Sequence, residues 1–208
     1  MAATLNENSL QLKDEIAKRS FYCGLTLFLF SFLFVLLKDL SVLLILSNIL
    51  PGFIYGAVLC KPGESGLDLK RLSFIVLSGG LFIFVAWVAT GYSFFGNNTN
   101  MTFSLGSVIG STVLFLLYYY LVDNHLQLGR GLIVTTLTGL LSSVPPFIGD
   151  TIEKQINDLD VRGNVSLSFT LLIFVVWQTL FGWALTNCRK AAANSGLASV
   201  GHEEQNIS

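Results

Sequence analysis

The sequence predicts an all-α polytopic membrane protein, a bundle of six transmembrane helices with cytoplasmic N- and C-termini. Three observations carry that expectation. Of 208 residues, 52% are hydrophobic and only 12% charged, against about 25% charged in a typical soluble domain. The charges fall in short clusters between long uncharged stretches, as in chains that cross lipid repeatedly. The basic residues also crowd onto one side of the threading that those stretches define. A net charge of −1 leaves no basic field for nucleic acid, which is not an expected partner.

The six apolar segments cover residues 21–37, 40–60, 72–95, 101–122, 132–149 and 165–186. Each lies near the roughly 20 residues that a helix needs to cross about 30 Å of hydrocarbon. Segment 1–20, "NENSLQLKDEIAKRS" within it, is polar and lacks the apolar core of a cleavable signal. It places Leu12 and Ile16 on one helical face, consistent with a cytoplasmic interfacial helix or a polar loop. Spans one and two are joined only by Lys38-Asp39, with Leu40-Ser41 at most. A tight hairpin is preferred to one long helix, which would strand two charges in lipid at about 2.5–3.5 kcal/mol each. The uncharged "GNNTN" joins spans three and four.

Residues 150–162 put Ile152, Ile156 and Leu159 on one face with acids opposite, consistent with a second interfacial segment or a polar loop. Residues 187–208, including "AAANSGLASVGHEEQNIS", read as a small, polar, disordered cytoplasmic tail. With six spans, Lys13, Lys18, Arg19, Lys61, Lys70, Arg71, Arg130, Arg189 and Lys190 share the side of both termini; Lys38, Lys154 and Arg162 face the other. That asymmetry makes the termini cytoplasmic, in a plasma or inner membrane. Aromatics agree: Phe21-Tyr22, Tyr118-Tyr119-Tyr120 and Trp183 at the inner interface, Tyr92 and Phe94-Phe95 at the outer.

The interiors of the spans contain no Asp, Glu, Lys, Arg or His, which argues against proton-driven pumping and voltage sensing. No Walker loop, His-Glu-x-x-His, Gly-x-Ser-x-Gly or Cys-x-x-Cys occurs, and His125 and His202 are too few for a histidine-built metal site. No cofactor or metal is expected. One polar cluster, Asp123, Asn124, His125 and Arg130 in "DNHLQLGRG", would suit a lipid headgroup or phosphate, yet its composition equally makes a solvated turn. Cys23, Cys60 and Cys188 fall at cytoplasmic span ends, where they are palmitoylation candidates or, as we prefer, small apolar filler. "NNT", "NMT" and "NVS" are glycosylation sequons on the outer side.

Gly52-x-x-x-Gly56, Gly79-Gly80 and Gly106-x-x-x-Gly110, extended by Ser107 and Ser111, allow close helix approach; packing within the bundle is preferred to dimerisation. Two spans carry proline interruptions. In "LSSVPPFIGD", Pro145 frees the carbonyl of Leu141, and Thr138, Ser142 and Ser143 are local candidates to satisfy it. In "ILSNILPGFIYG", Ser47 and Asn48 precede Pro51-Gly52. Aligned, "LSNILPGFI" and "LLSSVPPFI" occupy the middle spans of the two halves, the arrangement of inverted repeats that hold a midplane site.

Three functions follow. The first is a small transporter- or channel-like protein for a neutral or amphipathic solute, lined by Ser47, Asn48, Thr135, Thr138, Ser142, Ser143 and Gln178. Thr135, Thr138 and Ser142 share one helical face. The second is a non-catalytic membrane subunit or assembly factor with a partner membrane protein. The third, a lipid-active enzyme, needs the 123–130 cluster to converge on a headgroup pocket. An enzyme is the less favoured class, and the expected partners are the lipid bilayer, a small neutral or amphipathic ligand and a partner membrane protein.

Overall fold

The computed structural model describes residues 2–36, 49–60, 68–94 and 99–188. Ser47, Asn48, the Lys38-Asp39 connection and the tail after Cys188 lie outside the described residues. Seven helices make up the described fold: α1 (Ala2–Leu36), α2 (Leu50–Leu59), α3 (Leu69–Phe94), α4 (Thr99–Leu121), α5 (Leu128–Ser142), α6 (Val144–Glu153) and α7 (Leu159–Cys188). Among the described residues, five stretches are long and apolar enough to cross a membrane: Glu15–Leu33, Leu69–Val88, Ser104–Leu121, Leu128–Glu153 and Ser168–Cys188. Leu50–Leu59 is apolar but shorter.

The outer surface carries the apolar load. Leu29, Phe84, Trp87, Ile133, Leu137 and Leu141 are all exposed, while among the described residues ten Ser, Thr and Gln side chains are buried. In water such a surface would drive association; in hydrocarbon it is the required one. The molecule has the build of an integral membrane protein.

The first helix is longer than its apolar stretch. It runs unbroken through the segment expected to lie along the interface, and Arg19 pairs with Glu15 at 3.0 Å one turn away. An i,i+4 pair lets charged turns extend a helix beyond lipid without ending it. Residues 150–162 are not one helix. The α6 helix ends at Glu153, Lys154 pairs with Asp150 at 2.9 Å, and α7 starts at Leu159.

Local chemistry explains the helix ends. Asp68 accepts the Arg71 amide at 2.8 Å, the N-cap geometry that opens α3. Both α2 and α6 open on proline, whose missing donor costs nothing in a first turn. Between α4 and α5, the Asp123 carboxylate accepts the His125 amide at 3.0 Å, and Leu126 is buried as a plug. The Gln127 amide then donates to the Cys188 carbonyl at 2.8 Å, so the start of α5 satisfies the end of α7.

The most extensive packing is α1 on α7, followed by α4 on α5, α3 on α4, α2 on α3 and α6 on α7. Glycines set the close approaches. A Cβ on Gly52 would lie 2.7 Å from the Ser78 carbonyl oxygen and 2.9 Å from Gly79 Cα. One on Gly139 would lie 2.8 Å from Val108 Cα. The Gly52-x-x-x-Gly56 seam is therefore internal, as preferred from sequence, whereas Gly80 has nothing within 4 Å. The core is aromatic: Tyr55, Trp177 and Phe181 pack with centroids 5.5–6.1 Å apart, and Phe82 sits 6.1 Å from Trp177.

Candidate functional site

The α5 stripe folds as its spacing predicts: Thr135, Thr138 and Ser142 are all buried, with Ser143 beside them. Its hydroxyls, however, turn back on their own helix. Thr135 donates to the Gly131 carbonyl at 2.7 Å, Thr138 to Thr135 at 2.8 Å, Ser142 to Gly139 at 2.8 Å and Ser143 to Leu140 at 2.6 Å. Such back-bonding satisfies a hydroxyl in lipid without any ligand. The break itself is one residue long. Ser143 has φ −82° and ψ −7°, and its amide also reaches the Leu140 carbonyl at 3.2 Å. The interruption thus falls two residues before Pro145, because Pro145 and Pro146 are accommodated in the first turn of α6.

Gln178 differs in kind. It is fully buried, and neither its carboxamide oxygen nor its nitrogen has a hydrogen-bond partner. An unpaired buried amide is costly in a low-dielectric interior, so its retention needs a reason. Its position follows from helical spacing. Val175 and Gly182 on α7 both meet α1, where a Cβ on Gly24 would lie 2.8 Å from Val175 Cα and one on Gly182 would lie 2.6 Å from Ser20 Cβ. Gln178 stands three residues after the first and four before the second, on the face of α7 that closes against α1.

Around it is a polar clasp that sequence reading missed. The Tyr55 hydroxyl on α2 donates to the Gln178 main-chain carbonyl at 2.9 Å and lies 3.3 Å from Ser20 Oγ on α1. That carbonyl would otherwise have only its helical partner, so one phenol ties three helices together. On the adjoining face of α7, Trp177 Nε1 donates to Ser111 Oγ at 2.7 Å, and Ser111 donates to the Ser107 carbonyl at 2.6 Å. Ser20 escaped notice because it sits beside Arg19, just before the apolar run. Tyr55 had a visible signal: it neighbours Gly56 on the proline-led helix.

The structure brings Gln178 together with Tyr55 and Ser20, not with the α5 hydroxyls by any described hydrogen bond. Chemically, an amide offers one planar acceptor and one planar donor side by side, suited to a neutral amide-like molecule. An open groove of about 330 Å³ lies elsewhere, on the outer face of α6, lined by Val144, Phe147, Ile148, Thr151 and Ile152. None of the sequence candidates lines it. At the other polar cluster, Asp123 closes its turn while Asn124, His125 and Arg130 are exposed. Among the described residues no group of His, Cys, Asp or Glu is placed to hold a metal. Cys23, Cys60 and Cys188 are buried free thiols, which suits filler and hinders acylation.

Comparison of the chain with protein-family models, with characterised proteins and with solved structures finds no match.

Proposed function

We propose that this protein crosses the membrane six times with both termini in the cytoplasm, and that it binds and passes a small neutral or amphipathic solute. The observation that carries the solute reading is the Gln178 carboxamide, enclosed in an apolar bundle with both polar atoms unpaired. A site kept for a ligand explains why a group of this cost is tolerated. The absence of ionisable residues from the span interiors favours an uncharged cargo. The packing supports the orientation. Cys60 Sγ lies 3.8 Å from the Arg71 carbonyl, Phe74 packs edge-on against Tyr118, Ser20 meets Gly182, and the Gln127 amide donates to the Cys188 carbonyl. These contacts gather Arg19, Arg71 and Arg130 at one end of the bundle, with Lys154 at the other.

The test is permeability. Proteoliposomes challenged with urea or glycerol in stopped-flow light scattering are expected to equilibrate faster than protein-free vesicles. Gln178→Leu should remove the excess while the protein still elutes as a folded particle. Equal rates for wild type, Gln178→Leu and empty vesicles would sink the reading. Tags at the two ends should both report from the cytoplasm; opposite sides would overturn the six-span threading.

A second reading, a non-catalytic membrane subunit or assembly factor, is favoured by the α5 stripe, whose hydroxyls are satisfied within their own helix. It predicts a stoichiometric membrane partner in mild detergent and no Gln178-dependent permeability.

A further inference from the structure

The helices α2 and α6 correspond in length, in the placing of proline and Phe-Ile, and in the phase of their burial. Each is ten residues long, opens on proline, and carries Phe-Ile at its fourth and fifth positions: Phe53-Ile54 and Phe147-Ile148. Their burial runs in phase. The second, third and sixth positions are buried in both (Pro51, Gly52, Tyr55; Pro145, Pro146, Gly149), and the fifth and eighth are exposed in both. Each packs on the helix that follows it, glycine against phenylalanine. A Cβ on Gly52 would lie 2.5 Å from Phe82 Cβ of α3, and one on Gly149 2.6 Å from Phe169 Cβ of α7.

The long helices pair in the same way, across the halves. The first helix of each half packs on the last of the other: α1 on α7, and α4 on α3. In "FYCG" of α1, Gly24 meets Val175; in "FSLG" of α4, Gly106 meets Val85. Val85 lies in "LFIFVAW" and Val175 in "LLIFVVW", which agree at five of seven positions.

Direction alternates throughout. Gly24 meets Val175 while Gly182 meets Ser20, so α1 and α7 are antiparallel; Gly131 meets Phe115 while Gly139 meets Val108, so α4 and α5 are too. Phe74 meets Tyr118 while Val85 meets Gly106, and Gly52 meets Gly79 while Gly56 meets Ile75, so α3 is antiparallel to α4 and to α2. With the short connection 154–158, α1, α2 and α3 run opposite to α4, α6 and α7 respectively.

The two equivalent seams are not equally shut. At α1·α7, a Cβ on Gly24 would meet backbone, 2.7 Å from the Phe174 oxygen. At α3·α4, the nearest described atoms are the Val85 methyls, 3.1 Å from a Cβ on Gly106 and 3.6 Å from one on Gly110. Gln178 stands in the tighter seam. In inverted repeats, a second conformation is obtained by exchanging the states of equivalent seams.

We propose that the chain consists of two inverted repeats and alternates between this arrangement and one with the seams exchanged. In the second state α4 closes on α3 through Gly106, α1 loosens from α7, and the Gln178 carboxamide opens to a small molecule with donor and acceptor side by side, as in an amide or urea. The ligand class rests on the solute reading above; the exchange of seams does not.

The test reads conformation alone. In full-length protein with Cys23, Cys60 and Cys188 changed to alanine, Gln178→Cys is labelled with N-ethylmaleimide in membranes. Gly24→Ala, which props open α1·α7, should speed labelling about tenfold, and Gly106→Leu, which blocks closure of α3·α4, should slow it about tenfold. No labelling in any variant, or rates unmoved by Gly106→Leu, overturns the exchange. If Gly24→Ala fails to fold, Gly106→Leu decides by itself. Urea permeability that depends on Gln178 without this labelling pattern would retain the solute reading and reject the exchange.

Discussion

Replacing Gln178 by methionine should make the protein more stable, although it removes a fully buried polar side chain of α7. Methionine keeps the unbranched length and fills the same space with a thioether that needs no hydrogen bond. The wild-type side chain leaves two polar atoms unpaired, and each such group costs about 1–3 kcal/mol when fully desolvated. The reference state tempers that figure. In a membrane the separated helices already offer the amide other partners, which in measured cases brings polar contributions down to about 0.6 kcal/mol on average. A net gain of about 1–3 kcal/mol remains, and at roughly 2–4 °C per kcal/mol for a chain of this size the melting temperature should rise by several degrees.

The molecule carries its own reporters for this measurement. Cys23, Cys60 and Cys188 are buried free thiols that become reactive as the bundle opens. A thiol-reactive fluorophore followed through a thermal ramp in detergent therefore reads unfolding without further labels. An unchanged or lower melting temperature for Gln178→Met would refute the reasoning, because it would mean that the carboxamide is satisfied in the native protein. A higher melting temperature together with lost solute permeability would identify Gln178 as a group retained for function at the expense of stability.

The other expectations concern the seams and the clasp. Gly56→Leu should destabilise by about 1–3 kcal/mol or prevent folding, since a Cβ there would run into Ser78 Oγ and lie 3.2 Å from Ile75 Cα. Gly80→Leu should stay within about 0.5 kcal/mol of wild type; equal effects in a denaturant titration would refute the α2·α3 seam. Ser111→Ala leaves the buried Trp177 Nε1–H without its acceptor and should cost about 1–3 kcal/mol. Adding Trp177→Phe should then cost less than it does in wild type, which a double-mutant cycle measures. Tyr55→Phe should cost about 1 kcal/mol by thermal unfolding, and a loss below the error of the assay would remove the phenol from the clasp.

Helix content and most spans were legible because uncharged length is a one-dimensional property of the sequence. Boundaries were less so. Glu15 and Arg19 read as part of a polar segment separate from the first span, yet they pair along one helix that continues into it, and that boundary hid Ser20. The proline break was legible to within two residues. Proline is forbidden inside a helix but welcome in its first turn, so the chain moves the discontinuity back to Ser143. The face shared by Thr135, Thr138 and Ser142 was also correctly placed, because 3.6-residue periodicity determines which positions point together. Their hydrogen-bond partners were not legible from spacing, which says where a hydroxyl sits and nothing about which carbonyl it takes.

That difference separates Gln178 from the α5 stripe on physical grounds. A serine or threonine on a helix carries a hydroxyl within reach of the carbonyl three or four residues back, so it can be fully accommodated in hydrocarbon by its own helix. A glutamine cannot. Its carbonyl oxygen needs a donor, and every main-chain N–H in the interior of α7 is already committed to the helix ladder. Its NH₂ group adds two donors on a longer stem. The oxygen of a buried glutamine in a membrane helix therefore requires a donor from outside its own helix, and here the Tyr55 hydroxyl donates instead to the main-chain carbonyl of the same residue. The clasp thus holds α2 and α1 against α7 while leaving the carboxamide unanswered. In an apolar chain with many polar side chains, the informative one is the side chain whose demands its own helix cannot meet.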